Sequence, residues 1–244
     1  MIYCKRGDLD SQIVREVQEW LCLHGLRLSP DGDFGEITER AVKEFQAGYP
    51  GLVAEGIVQE DTLERLRHPL KVADLPLARQ TSLGNQVVMR AKQHLKVHPR
   101  EVGGQNKGPW VRLYCQGHDG TPWAWCAGFV SYIVASACRE FGVRNPLKYT
   151  MSCDNLADQA QRLGILANGP ETGPRPGDIF LNVSPRNKRD WVHTGIVTGV
   201  DGGEVRTIEG NTNDDGSREG YEVCTRRRAI APRDFVLLSK LGGS

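Results

Sequence analysis

No two cysteines in this 244-residue chain stand in a CxxC spacing, and nowhere do about 18 apolar residues run together. The first absence excludes a zinc site built on CxxC pairs. The cysteine count is odd, at seven (Cys4, Cys22, Cys115, Cys126, Cys138, Cys153 and Cys224), which argues against a full disulfide framework and leaves room for a free thiol. The second absence excludes a transmembrane helix. The opening residues, Met1 to Asp8, lack the apolar stretch of a secretory signal, so synthesis in the cytoplasm is expected, with any action outside depending on another means of release. A net charge of only +1 gives no polyelectrolyte signal for nucleic acid. The histidines His94, His98 and His118 lack ligand spacing, so neither a metal nor another cofactor is expected.

What the chain does have is an ordinary globular balance, 39% hydrophobic and 25% charged, unevenly spread. Residues 1–70 hold 8 Lys and Arg against 13 Asp and Glu, a net of −5, while residues 71–244 carry a net of +6. That change of sign supports two domains. In the first, residues 11–24 place Ile13, Val17, Trp20, Leu21 and His24 on one helical face, and Gly25 ends the run. A turn at Ser29–Gly35 leads to a second helix near Thr38 with Ala41, Val42 and Phe45 apolar. Gly56-Ile57-Val58 with Thr62 and Leu63 partly repeats Asp33-Phe34-Gly35 with Thr38, Ala41 and Val42, and Pro69 is expected to close a last short helix. Asp31 and Asp33 have a calcium-loop flavour, but Gly35 comes too early and no Glu stands at the twelfth loop position, so they read as turn residues. The expectation is a small three-helix bundle over 1–70, a linker over 71–82 and a second domain over 83–244.

The second domain begins with a helix near 83–97 and a glycine-rich loop at 103–109. Its centre is Trp123-Ala124-Trp125-Cys126-Ala127-Gly128-Phe129-Val130. Apolar residues at Val130, Ile133, Val134, Ala137 and Phe141 predict a buried helical stripe that Gly142 stops. Cys126 then lies in the first turn, where free N–H groups and the positive helix end favour a thiolate. A further helix near 153–163 precedes predicted strands at 178–183, 192–200, 204–211, 221–226 and 235–238. Helices first and an antiparallel sheet afterwards make an α+β domain.

The hairpin closed by Asp201-Gly202-Gly203 carries the next step. If that loop sets the register, His193 faces Asn211 and Glu209 is its diagonal neighbour on the same sheet face, with Gly195 leaving room beside it. A change of one residue in loop length would put Glu209 on the opposite face. A thiol at a helix start, an imidazole on a strand and a polar orienter are the parts of a cysteine hydrolase. Cys153 is the competing thiol, disfavoured as a thiolate by Asp154; Cys138 reads as core, and Cys115 lies in a loop. Arg226, Arg227 and Arg228 read as a solvated strand end or an anion contact. Trp110, Trp123 and Trp125 read as groove lining or as packing.

At these residues two resemblances emerge. Asp31 to Gly35, Thr38, Ala41, Val42, Phe45 and Gln46, then Gly56-Ile57-Val58 and Thr62, resemble the three-helix peptidoglycan-binding domain family, which implies bacterial peptidoglycan as partner. Trp125-Cys126-Ala127-Gly128-Phe129-Val130, Pro176-Gly177-Asp178-Ile179, His193-Thr194-Gly195-Ile196-Val197 and Ile208-Glu209-Gly210-Asn211 resemble the cysteine, histidine-dependent amidohydrolase/peptidase (CHAP) family. That resemblance implies a papain-like α+β fold, Cys126 as nucleophile, His193 as base, Glu209 and Asn211 in support, and cleavage of a peptidoglycan amide bond. Trp125 and Trp191 are the residues expected to contact substrate. The Trp191-Val192 pair and the long Ser184–Asp190 loop depart from the family pattern and bear on substrate choice. The implied setting is a phage endolysin released through a holin pore; an injected antibacterial effector with a cognate immunity protein, or a non-catalytic wall-binding protein, are the alternatives.

Overall fold

The N-terminal segment uses one small device twice. In the computed structural model, which describes residues 1–169, 173–213 and 220–241, strand β1 (Ile2–Cys4) precedes helices α1 (Gln12–Leu23) and α2 (Glu36–Ala47), then β2 (Val58–Gln59) and α3 (Glu60–Leu66). Ser11 caps α1, its hydroxyl accepting the Val14 N–H. Gln18, buried on α1, accepts the Gly32 N–H and donates to the Asp33 carbonyl and the Thr38 hydroxyl. Gln46 on α2 makes the same set of bonds with Gly56, Ile57 and Thr62. Each glutamine satisfies backbone groups of a turn that would otherwise be buried unpaired. The repeat therefore matches Gly32-Asp33-Phe34 with Gly56-Ile57-Val58, one residue earlier than the sequence pattern suggests. Asp31 serves as a turn residue, accepting the Asp33 N–H at 2.9 Å.

Two boundaries move. Pro69 opens a helix instead of closing one, since it is the second residue of α4 (His68–Ala73), where its missing N–H has no intrahelical role. The expected linker thus starts inside a helix, and Ala73 is fully buried with its carbonyl accepting from Arg90.

The remainder is an α+β arrangement. Helices α5 (Leu83–Lys96), α6 (Pro109–Tyr114), α7 (Cys126–Phe141) and α8 (Cys153–Arg162) precede β3 (Leu166–Ala167), β4 (Ile179–Val183), β5 (Trp191–Asp201), β6 (Glu204–Thr212), β7 (Glu222–Ala229) and β8 (Asp234–Val236). The six strands form one antiparallel sheet in the order β3-β8-β4-β5-β6-β7. Periodicity misses α6 and β3 because neither is long enough to show a period. Helix α7 is buried almost all round, from Cys126 to Cys138, and packs on α5, β5 and β6. Gly142 ends it in the left-handed region at φ 79°.

The two halves meet in a shared core. Trp20 of α1 lies edge-to-face on Trp110 of α6, centroids 5.9 Å apart. Arg112 of α6 pairs with Glu19 of α1 and with Asp119 at 2.6 Å. Arg100 donates to the Leu23 carbonyl at 2.9 Å. One continuous apolar cluster runs from Cys4 through Trp20 and Trp110 to Leu238.

Candidate active site

Cys126 is the first residue of α7, and its N-cap, Trp125, brings no side-chain cap. The leading N–H groups of the helix are therefore free to act on the sulfur or on what approaches it. Cys126 is 5% exposed and reaches one wall of a pocket of about 420 Å³. A hydrogen bond from Cys153, then contact with His193, then the Ala127 N–H, hold its thiol well below the usual value despite burial. Cys153 is the first residue of α8, with its sulfur 3.8 Å away. The bond to Cys126, burial, and the carboxylates of Asp154 and Asp190 push the Cys153 thiol well up. Cys153 thus keeps its proton and donates it toward the Cys126 thiolate.

His193 comes from β5 and lines the same pocket. The β5–β6 register explains how it meets its partner. The hairpin turn consists of Gly202 and Gly203 alone, with Asp201 paired to Glu204 and Gly199 to Arg206. That loop is shorter than the sequence suggests and would have turned Glu209 away. A bulge at Thr198 restores the alternation, so Val197 pairs with Thr207 and Ile196 with Ile208. Glu209 consequently falls on the face of His193, and His193 Nε2 lies 2.8 Å from Glu209 Oε2. Nδ1 is the nitrogen left for the Cys126 sulfur. Gly195 is required here, because a Cβ would stand 2.7 Å from the Glu209 Cγ.

Glu209 is fully buried and more firmly held than the sequence indicates. Arg228 of β7 grips both oxygens, Nε to Oε1 at 2.9 Å and Nη2 to Oε2 at 2.6 Å, and the Thr207 hydroxyl donates to Oε1. Burial would raise the carboxyl, but Arg228 and His193 bring it down to about 2. For His193 burial opposes the charge, yet the bonds to Cys126 and Glu209 prevail and raise it to about 9. A thiolate beside an imidazolium is the resting state these shifts describe near neutral pH. Arg228, read from sequence as a solvated strand end or anion contact, is instead the clamp on this carboxylate; the register sets it opposite Val205, on the sheet face it shares with Glu209, and its long side chain reaches along that face.

Asn211 also lines the pocket, in the left-handed region at φ 54°, but its Oδ1 has no hydrogen-bond partner among the described residues. Glu209, not Asn211, holds the imidazole. Trp125 corrects an expectation: it is fully buried, stacked on Tyr114 and bonded through Nε1 to Glu101 at 2.8 Å, so it supports the site from behind and presents no face to a substrate. Gly210, between Glu209 and Asn211, lets β6 lie against this indole, since a Cβ would stand 2.8 Å from the Trp125 ring. Trp191 is half-buried, its indole nitrogen bonded to Asp234 at 3.0 Å and its backbone N–H to Asp154. The pocket walls are instead polar, with Glu101, Gln105, Asn106 and Tyr221. A larger cleft of about 580 Å³ lies where α1 faces the 103–119 segment, lined by Arg15, Glu19, Lys107 and Arg112, with no cysteine, serine or histidine among its lining residues.

A sulfur at a helix start, a charged imidazole and a clamped carboxylate are the parts that thiol-based acyl transfer uses. Residues 116–211 match the CHAP domain family, the cysteine- and histidine-dependent amidohydrolases and peptidases, and residues 10–66 match the family described as "Putative peptidoglycan binding domain". The chain thus joins a peptidoglycan-binding domain to a CHAP domain. No curated protein and no solved structure matches it.

Proposed function

We propose that the protein is a peptidoglycan hydrolase that cuts an amide bond through a Cys126 thioester. The Cys126 thiolate attacks the carbonyl carbon, and the oxyanion meets the Cys126 backbone N–H at the start of α7. His193, through Nδ1–H, protonates the leaving amine. The imidazole then takes a proton from water, which attacks the thioester and releases a carboxylate and the thiolate. Glu209 keeps the ring oriented and supports its charge. The observation that carries this reading is the convergence of Cys126 and His193 on one pocket with Glu209 bonded to the far ring nitrogen.

The bond is either the muramoyl–L-alanine amide or a peptide bond in the stem or cross-bridge, and bacterial peptidoglycan is the partner. The setting that suits a wall-binding domain joined to a wall-cutting one is envelope lysis as an endolysin, made in the cytoplasm and acting at the wall after holin release. A secreted effector of the same chemistry is the alternative, and a neighbouring immunity gene would favour it. Purified sacculi incubated with wild type and Cys126→Ala, followed by mass spectrometry of the soluble products, test the reading. Cys126-dependent release of stem peptides with free L-alanine amines identifies an amidase, and new termini within stem or bridge identify an endopeptidase. Equal release by the variant, or no release from walls of several chemistries, overturns it.

A further inference from the structure

Beyond its hydrogen bond to the Cys126 thiolate, one feature of the site takes no part in the steps just described: a second sulfur beside the first. We propose that Cys126 and Cys153 are joined into a reversible intramolecular disulfide by hydrogen peroxide, which makes the cutting site a redox-modified one. Only the effect on activity rests on Cys126 being the nucleophile; the linkage itself does not.

The geometry is specific. The sulfurs are 3.8 Å apart, in contact, and both cysteines are the first residues of their helices, α7 and α8. A disulfide needs about 2 Å between sulfurs, so the two must close by roughly another 2 Å. Both are reduced and free in the structure. Cys126 opens to the pocket, which gives a small oxidant access, while Cys153 sits behind it at 8% exposure.

The reaction runs in two balanced steps. The Cys126 thiolate attacks one oxygen of hydrogen peroxide, breaking the O–O bond to give a sulfenic acid and hydroxide. Cys153 then attacks the sulfenic sulfur; the S–S bond forms, the S–OH bond breaks, and the thiol proton leaves with that hydroxide as water. Two thiol electron pairs become one bond, and peroxide takes up the two electrons. Without Cys153 the sulfenic acid reacts with a second hydrogen peroxide, whose O–O bond breaks to give sulfinic acid and water, a state that simple thiols do not reverse. The second sulfur therefore diverts an irreversible loss into a reversible one.

The test uses the full chain, reduced and then treated with graded hydrogen peroxide, and mapped without reduction after chymotryptic cleavage. Cleavage after Trp125 and Phe129 separates Cys126 from Cys115 and Cys138. The expected result is a Cys126–Cys153 linked peptide pair lighter by two hydrogens, with wall-cutting activity lost on oxidation and recovered with dithiothreitol. In Cys153→Ser, and in Cys153→Ala as a second variant, Cys126 gains two oxygens and dithiothreitol does not reverse it. Sulfinic Cys126 in the wild type without a link, a link to Cys115 instead, or recovery of the variants equal to wild type would each overturn the proposal. Because the wild-type map is read by mass, it decides the question even if a variant fails to fold or the protein cuts a different substrate.

Discussion

His193 is bonded to Glu209 through Nε2 and faces Cys126, and its charge up to about pH 9 depends on both. The sign follows from the partners. Below about 9 the imidazolium is present to protonate a leaving amine, and above it that proton is gone, while the depressed Cys126 thiol keeps its thiolate well down the acid side. The dependence of kcat/KM on pH is thus expected to show a broad plateau with an alkaline limb near 9. Glu209→Gln removes the carboxylate charge but keeps the shape. It is expected to lower kcat by about 10³–10⁴-fold and to shift the alkaline limb downward. A limb left in place would mean that Glu209 does not support the imidazolium. Arg228 acts one step further back. Cys126, His193 and Glu209 were legible as a set, because each residue type has a motif and a predicted element around it. Arg228 was not, because a cation on a strand end looks solvated until the neighbouring strand's register is known.

At the scale of elements, the site depends on how closely β6 lies on α7 and on the register of β5 against β6. Gly210 permits that approach, with Phe129 and Trp125 where its Cβ would be. Gly210→Ala is expected to push β6 outward, costing about 1–3 kcal/mol in stability by overpacking and reducing kcat about 100-fold by displacing Glu209 and Asn211. Chemical denaturation and steady-state kinetics on the same variant check both; an unchanged kcat would show that the β6–α7 spacing does not position the site. The hairpin shows what sequence can and cannot give. Alternation together with the assumed turn put His193, Glu209 and Asn211 on one face; His193 and Glu209 do bond, and Asn211 lines the same pocket. The turn was read as longer than it is, and Gly199, the glycine beside the compensating bulge at Thr198, was not read as its sign. Trp125 was misplaced for a related reason. An aromatic beside a nucleophile reads equally well as a platform or as packing, and only the approach of Tyr114 and Glu101 decides it.

At the scale of the whole molecule, the segment that matches the peptidoglycan-binding family and the segment that carries Cys126 are packed together through Trp20, Trp110, Glu19 and Arg112. Glu19 is almost fully buried, so removing its partner leaves an uncompensated charge inside. Arg112→Met is expected to destabilise the chain by about 3 kcal/mol, seen as a lower urea midpoint; a shift within error would make the junction a loose one. Cys126 is held as a standing thiolate, while burial pushes the thiols of Cys4, Cys22, Cys115 and Cys138 up, and the bond to Cys126 together with burial does the same to Cys153. The measurement that tests this is the rate of alkylation by iodoacetamide at each cysteine, resolved by mass spectrometry, from acid pH to above 9. The account predicts a single fast site, Cys126, whose rate is already on its plateau well below the ordinary thiol range of about 8.5, with Cys153 slow throughout. A Cys126 rate that climbs through about 8.5 like an ordinary thiol, or a faster reaction at another cysteine, would contradict it.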